Sequence, residues 1–173
     1  EFFMPTWITT LLNATYPFSL PALEYTYEAL EPHVDTATMT LHHTKHHQAY
    51  INNLNTGLEQ HPEYQTQTLE WLVKNWNSLP DSLKTIVKNH GGGHLNHAFF
   101  WKILSPTQQA PSQTIQNALN ESFDSLENFK TTFNKAALSV FGSGWAWLCI
   151  NEKNQLIVVA TANQENPISQ NLT

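Results

Sequence analysis

Residues 41–54 read LHHTKHHQAYINNL, and their histidines, tyrosine and leucines recur every three or four positions. Side chains at that spacing lie on one face of a helix. Asp35 precedes the run and is a good N-cap residue, while Gly57 follows the run as a helix stop. We therefore predict a long helix from Asp35 to about Gly57. One face of this helix would carry Met39, His42, His46, Tyr50 and Leu54.

Histidine is the residue type that stands out in this chain. The 173 residues include nine histidines, and all of them fall between His33 and His97. Four lie within two turns of the first predicted helix, and a helix predicted at about residues 82–104 carries His90, His94 and His97. Imidazoles from two facing helices can hold one metal ion between them. A solvated polar helix face is the alternative interpretation of the same pattern.

Consecutive glycines interrupt this later helix at Gly91, Gly92 and Gly93. Each glycine costs a helix interior about 1 kcal/mol relative to alanine. A sequence that accepts this cost usually needs space there for a neighbouring group. We therefore expect another backbone or a ligand to approach the helix closely at these residues.

Composition and charge exclude several classes of function. The formal net charge is −6, and all eight basic residues are lysines. Nucleic acids and anionic membranes are therefore not expected partners, because both require a basic surface. The single cysteine, Cys149, permits neither an intrachain disulfide nor a cysteine-rich zinc site. Without a long apolar run or a signal-like leader, the expected location is cytoplasmic, with a mitochondrial or exported location as the alternative.

The distribution of proline and of hydrophobic periods predicts three parts. Residues 1–34 contain several prolines and are expected to form an irregular arm. Residues 35–106 are expected to form a helical hairpin domain, with a further helix at about 63–76. A linker containing Pro106 and Pro111 then leads into residues 107–173, an α/β part.

The last part changes from a helical to a strand pattern. Helices are predicted at 112–120 and 122–140, and residues 145–150 and 155–162 then alternate as two strands of a β-hairpin. Two strands alone are only marginally stable. We therefore expect an α+β protein whose C-terminal α/β domain is incomplete, ending after the second strand of a small antiparallel sheet.

Five sequence motifs occur in a specific order along the chain. They are LPALEYTYEALEPH at 20–33, MTLHHTKHHQAYINNL at 39–54, GGGHLNHAFFW at 91–101, FGSGWAWL at 141–148 and NQENP at 163–167. Together they closely resemble the iron/manganese superoxide dismutase family over about residues 16–168. The resemblance implies an N-terminal antiparallel helical hairpin, a C-terminal α/β part and a homodimer or a tetramer built of dimers.

The resemblance also implies roles for individual residues. His42 and His97 are the implied metal ligands, and His46 and Tyr50 the implied catalytic groups at the substrate gateway. Gln164 is the implied hydrogen-bond partner of metal-bound solvent. The residues implied to line the site are Phe100, Trp101 and Trp145.

The resemblance also indicates which metal the site would bind. Iron-type members carry a glutamine four residues before the second histidine ligand, where this chain has Gly93, and the present glutamine is Gln164. This arrangement favours manganese, with iron as the alternative. The implied reaction is a two-step redox cycle that converts superoxide to O₂ and hydrogen peroxide, with protons delivered through solvent, Gln164 and Tyr50.

One family motif does not occur in this sequence. The family takes its other two ligands from an Asp-x-Trp-Glu-His segment, whereas the aspartates here are Asp35, Asp81 and Asp124, and no histidine follows His97. Because manganese also prefers carboxylate oxygen, two histidines alone should bind it weakly and catalyse poorly. We expect a partial sequence of a superoxide dismutase. The alternative is a non-catalytic truncated paralogue that serves as a weak metal-binding or interaction module.

Overall fold

A computed structural model of the chain describes residues 5–173. The chain divides into two compact units, residues 1–107 and 108–173. The first unit is helical, and the second combines helices with an antiparallel sheet. These units confirm the predicted α+β class. Within the described part of the chain, no helix is both long enough and apolar enough to span a membrane.

The N-terminal arm differs from its prediction. It contains a short helix, α1 (Thr6–Leu12), which begins directly after Pro5. Pro5 and Pro17 leave enough chain between them for two helical turns, and Leu12 is buried there. Proline spacing therefore limited the length of a helix in the arm but did not forbid one. Residues 1–4 of the predicted arm lie outside the described residues.

The first long helix combines three segments, α2 (Thr36–Leu41), a π-helical segment (His42–His47) and α3 (Gln48–Glu59). Asp35 is its N-cap and accepts a 2.8 Å hydrogen bond from the Thr38 backbone N–H. The predicted stop at Gly57 was wrong, because the helix continues to Glu59. The absence of a side chain at Gly57 instead leaves space for Ile86. A Cβ at residue 57 would lie 2.7 Å from Ile86 Cγ2.

A shorter stretch connects the two long helices. It contains a 3₁₀ turn (Pro62–Tyr64), α4 (Leu69–Lys74) and a second 3₁₀ turn (Trp76–Ser78). The helix predicted at 63–76 is therefore broken, because the Thr68 side chain accepts from the Trp71 backbone N–H and caps a new start. Leu69, Leu72 and Val73 of α4 are buried.

The second long helix also contains a π-helical segment. It consists of α5 (Asp81–Ile86), the π-helical Val87–Gly91 and α6 (Gly92–Ile103). The two long helices bury leucines and other aliphatic side chains in the interior of the first unit. Those with 0–1% exposure are Ile51, Leu54, Leu58, Leu83 and Val87.

Residues 108–173 form two helices and one β-hairpin. The helices are α7 (Gln113–Phe123) and α8 (Leu126–Ser139), capped by the side chains of Ser112 and Ser125. The strands are β1 (Gly144–Ile150) and β2 (Leu156–Ala162), paired antiparallel with Trp145 opposite Thr161. A 3₁₀ turn (Pro167–Gln170) follows, and the Thr173 and Ile150 backbones exchange hydrogen bonds. Leu119, Cys149 and Leu156 are buried in this unit.

Candidate metal centre

Three histidines from the two long helices converge in the first unit. One donor nitrogen from each of His42, His46 and His97 lies within 4.8 Å of the other two. Among residues 5–173, no other group of three or more His, Cys, Asp or Glu side chains lies close enough together to share a metal ion. The sequence prediction of a metal site between two helices therefore corresponds to a real convergence of donor groups.

The π-helical segment explains why His42 and His46 point to the same place. Its i→i+5 turns are wider than α-helical turns, so side chains four residues apart come nearly above one another. The His42 and His46 ring centroids are 5.3 Å apart, and each ring lies within about the same distance of His97. Single π turns inside α-helices occur frequently at functional sites.

Backbone geometry fixes the orientation of His97. Its Nδ1 lies 2.7 Å from the Gly93 carbonyl oxygen, which can only accept, so Nδ1 carries the proton and donates. The Nε2 lone pair is then the one that can bind a metal. A hydrogen bond from the second ring nitrogen is the usual way in which proteins orient histidine ligands.

Gly93, the last of the consecutive glycines, leaves space for a tyrosine ring. A Cβ at Gly93 would lie 2.6 Å from Cγ and Cδ1 of Tyr50, which is closer than real Cβ contacts. The Tyr50 ring is also 5.2 Å from the His97 ring and 4.9 Å from the His46 ring. A close approach is therefore present at Gly93, but the approaching group is a side chain on α3 and not the backbone or ligand that the sequence led us to expect.

The electrostatic environment keeps the candidate ligands neutral. The pKa of His97 is lowered to about 4, mainly by burial and to a smaller extent by the nearby His42 and His46, while the hydrogen bond to Gly93 opposes the shift. Burial, followed by the charge of His46, also lowers the pKa of His42. Neutral imidazole is the form that binds a metal, so these shifts keep both ligands competent near neutral pH.

The mouth of the cluster is an open depression. His42 and His46 line it together with Thr38, Leu41 and Lys45. His46 is exposed and His97 is 2% exposed, so the cluster extends from the surface into the interior. Lys45 is the basic side chain of this depression and gives it a local positive charge.

Aromatic side chains form the inner wall. The Trp101 indole meets His42 edge-on, with ring centroids 4.9 Å apart and planes at 82°. The Phe100 ring lies 6.3 Å from His42. Trp101 belongs to a buried cluster with Leu30 and Met39. Phe100 and Trp101 therefore do line the histidine cluster.

The remaining histidines of the run have a different environment. His47 Nε2 lies 2.9 Å from His94 Nδ1. On the other side of the same ring, His47 Nδ1 accepts a 3.0 Å hydrogen bond from Trp101 Nε1. His43 bridges the Tyr27 hydroxyl and the Pro21 carbonyl oxygen at 2.9 and 2.8 Å. Sequence reasoning did not separate these histidines from the metal-facing ones, because both pairs have the same spacing.

Gln164 and Trp145 lie in the second unit. Trp145 Nε1 donates a 3.1 Å hydrogen bond to Gln164 Oε1, which orients the amide. Asn163, in a left-handed conformation with φ 51°, turns the chain out of β2 directly before Gln164. The two residues that the resemblance assigned from this unit are therefore direct partners of each other.

The chain thus combines a helical unit, whose histidine cluster could hold a metal ion, with an α/β unit that follows it in sequence. The model for the α-hairpin domain of iron/manganese superoxide dismutases matches residues 17–105, and the model for their C-terminal domain matches residues 111–173. The chain therefore belongs to the iron/manganese superoxide dismutase family.

A named relative supports this assignment. "Superoxide dismutase [Mn] 1" of Leptolyngbya boryana is 44% identical over 156 residues, which cover 90% of this chain. The same alignment covers 63% of the relative, so the chain spans just under two thirds of that relative's length.

Proposed function

We propose that this protein is a superoxide dismutase, in which two superoxide anions and two protons yield one O₂ and one hydrogen peroxide. The observation that carries the proposal is the convergence of His42, His46 and His97 within 4.8 Å. Family membership and the manganese superoxide dismutase named above support the same activity. The geometry supports a small anionic substrate, because Lys45 lies in the depression that leads to the cluster.

His42 and His97 would hold the metal, and their chemistry fits a first-row transition ion. Both are held neutral, and His97 is oriented by its bond to Gly93. Manganese, or alternatively iron, would supply one-electron redox chemistry when bound. Carboxylate oxygen, which manganese also favours, is not part of the cluster among the described residues.

Packing at Gly93 supports manganese over iron. A glutamine at this position, as in the iron-type arrangement, would place its Cβ 2.6 Å from the Tyr50 ring. The family resemblance implies that Gln164 supplies the amide instead, and its Oε1 accepts a hydrogen bond from Trp145. We propose that the Gln164 amino group donates to solvent at the metal.

The other side chains would handle protons and exclude water. The Tyr50 ring contacts the rings of both His46 and His97, and its hydroxyl would deliver protons to solvent in the site. Of these two histidines, His46 is the exposed one. Phe100 and Trp101 keep the inner side of His42 apolar, which strengthens electrostatic effects at the site.

We also propose a homodimer, or a tetramer built of dimers, as the functional assembly. This proposal rests on the family resemblance alone. Sedimentation velocity over a range of protein concentrations would test it, and a monomer at every concentration would contradict it.

The test of the activity compares His97→Ala and His42→Ala with the control His33→Ala. His33 is exposed and lies outside the cluster, so its variant reports nonspecific effects. We expect both cluster variants to lose bound manganese and superoxide dismutation by at least tenfold, and the control to retain both. Circular dichroism of each variant checks the fold. Unchanged metal content and activity in both cluster variants would contradict the proposal.

The donor set gives one observation in favour of a non-catalytic metal-binding module. All three converging donors are imidazole nitrogens, which suit Zn²⁺ as well as redox metals. Titration with Zn²⁺ and Mn²⁺ separates the two functions. Tight Zn²⁺ binding without dismutation by the manganese-loaded protein would favour the binding module.

A further inference from the structure

We propose that His47 is a positioning residue, which holds the Trp101 indole in place and through it orients the ring of the candidate ligand His42. The inference rests on the proposed function, because it concerns the same metal centre. His47 itself does not face the depression and is completely buried. Its ring also lies 5.7 Å from the ring of His97, but it has no such contact with His42, so its effect on His42 passes through Trp101.

The hydrogen bond between His47 and Trp101 can run in only one direction. Indole Nε1–H is a donor only, and it lies 3.0 Å from His47 Nδ1. His47 Nδ1 must therefore be unprotonated and accept. Both residues are at most 4% exposed, so water cannot replace the bond if it is lost.

A second buried histidine, His94, accepts the hydrogen bond that the other nitrogen of His47 donates. Because Nδ1 of neutral His47 accepts, its proton resides on Nε2, which lies 2.9 Å from His94 Nδ1. His47 therefore donates to His94 while it accepts from Trp101. His94 is itself 2% exposed and contacts the Phe18 ring, so the pair is anchored in the interior. Loss of either bond would leave a buried polar group without a partner.

The indole in turn limits where the His42 ring can lie. Their centroids are 4.9 Å apart with planes at 82°, an edge-to-face contact. The Tyr25 hydroxyl donates to the Trp101 carbonyl oxygen at 2.8 Å and fixes the backbone of the same residue. With the backbone fixed, rotation of the indole is the remaining freedom, and the bond to His47 removes it.

Two amide variants separate the two bonds of His47. The oxygen of an asparagine side chain can occupy the position of histidine Nδ1, whereas a glutamine amide reaches the position of Nε2. His47→Asn therefore retains an acceptor for Trp101 and loses the bond to His94. His47→Gln retains a partner for His94 and loses the acceptor for Trp101. Both variants remove the imidazole, so each controls for the other.

The first readout is NMR of the metal-free 173-residue chain. We expect His47→Gln to shift the Trp101 indole N–H resonance and the His42 ring resonances, because the aromatic ring current at His42 depends on the indole orientation. His47→Asn should leave both sets close to wild type. Trp101→Phe and His42→Ala assign the signals. Unchanged His42 resonances in His47→Gln, despite a shifted Trp101 N–H, would overturn the proposal.

The second readout is titration with Mn²⁺ alone. We expect about tenfold weaker binding by His47→Gln than by His47→Asn. If no variant, wild type included, binds Mn²⁺ while the metal-free resonances move as expected, the proposed metal function fails and the positioning role stands. Equal affinity of the two variants in a wild type that does bind would overturn the positioning role.

A third measurement covers the case in which His47→Gln fails to fold. Replacing the Trp101 indole by the benzothienyl ring keeps the bicyclic shape, removes the N–H and leaves His47 intact. We expect the His42 ring resonances to shift in this protein as well. His42 resonances identical to wild type would overturn the proposal.

Discussion

Two pairs of histidines on one helix have the same spacing and opposite surroundings. His42 and His46, the metal-facing pair, meet His97 and reach an open depression. His43 and His47, the core-facing pair, are at most 5% exposed, and both nitrogens of each ring have protein partners. A ring whose nitrogens are both engaged has no lone pair for a metal. Partners, rather than spacing, therefore decide which histidines can bind.

The largest expected effect is acid destabilisation of the metal-free protein. Folded His47, His94 and His97 have pKa values of about 2, 4 and 4, mainly because they are buried. Unfolded histidine titrates near 6.5, so below that pH the unfolded chain binds more protons and stability falls. Urea unfolding should show a loss of about 5 kcal/mol between pH 6.5 and 5.

A matched pair of variants assigns this loss. His47→Asn should reduce it by about a third, because one titrating group of three is removed. His33→Ala removes an exposed histidine and should leave the slope unchanged. A stability that is flat between pH 6.5 and 5 would mean that His47, His94 and His97 are not held neutral by burial.

The next effect compares one member of each pair directly. His47→Ala should lower the free energy of unfolding by about 3 kcal/mol, because it opens a cavity and leaves Trp101 Nε1 and His94 Nδ1 without their partner. His46→Ala removes an exposed ring and should change the free energy of unfolding by less than about 0.5 kcal/mol. Equal losses in urea unfolding of the metal-free proteins would remove the distinction between the pairs.

Much of this arrangement could be predicted from the sequence. Asp35 predicted a helix start because its side chain satisfies a first-turn N–H, and that bond is present. The period-two pattern at 145–150 and 155–162 predicted the hairpin of β1 and β2, which is confirmed. The motifs predicted the family and directed attention to His42 and His97, which do converge.

The remaining features depend on packing that has no local sequence signature. The π-helical segments at His42–His47 and Val87–Gly91 shift backbone hydrogen bonds by one residue, and no residue type encodes that shift. Gly57 resembles a helix stop in sequence, and only the approach of Ile86 explains it. Likewise, the core-facing pair could be identified only once Trp101 and His94 were seen beside it.

A smaller effect tests how the metal-facing side is shaped. Gly93→Ala should destabilise the protein by about 2 kcal/mol, because the added Cβ meets the Tyr50 ring at 2.6 Å. Gly91→Ala is the matched control on the same helix, where the nearest atom is Val87 Cγ1 at 3.3 Å, and it should stay within about 1 kcal/mol. If urea unfolding ranks the two variants in the reverse order, Tyr50 does not pack on Gly93.

The smallest effect concerns His43, the less deeply buried member of the core-facing pair. Its Nε2 donates to the Pro21 carbonyl oxygen, so its Nδ1 must accept from the Tyr27 hydroxyl at 2.9 Å. Tyr27→Phe keeps the ring contact and removes this one bond, which should cost about 1 kcal/mol. A double-mutant cycle with His43→Ala should recover about the same coupling energy. Mn²⁺ binding should be unchanged in Tyr27→Phe, because that bond lies on the side of the helix away from His97. Zero coupling combined with altered Mn²⁺ binding would instead assign His43 to the metal-facing side and reduce the core-facing set to His47 alone.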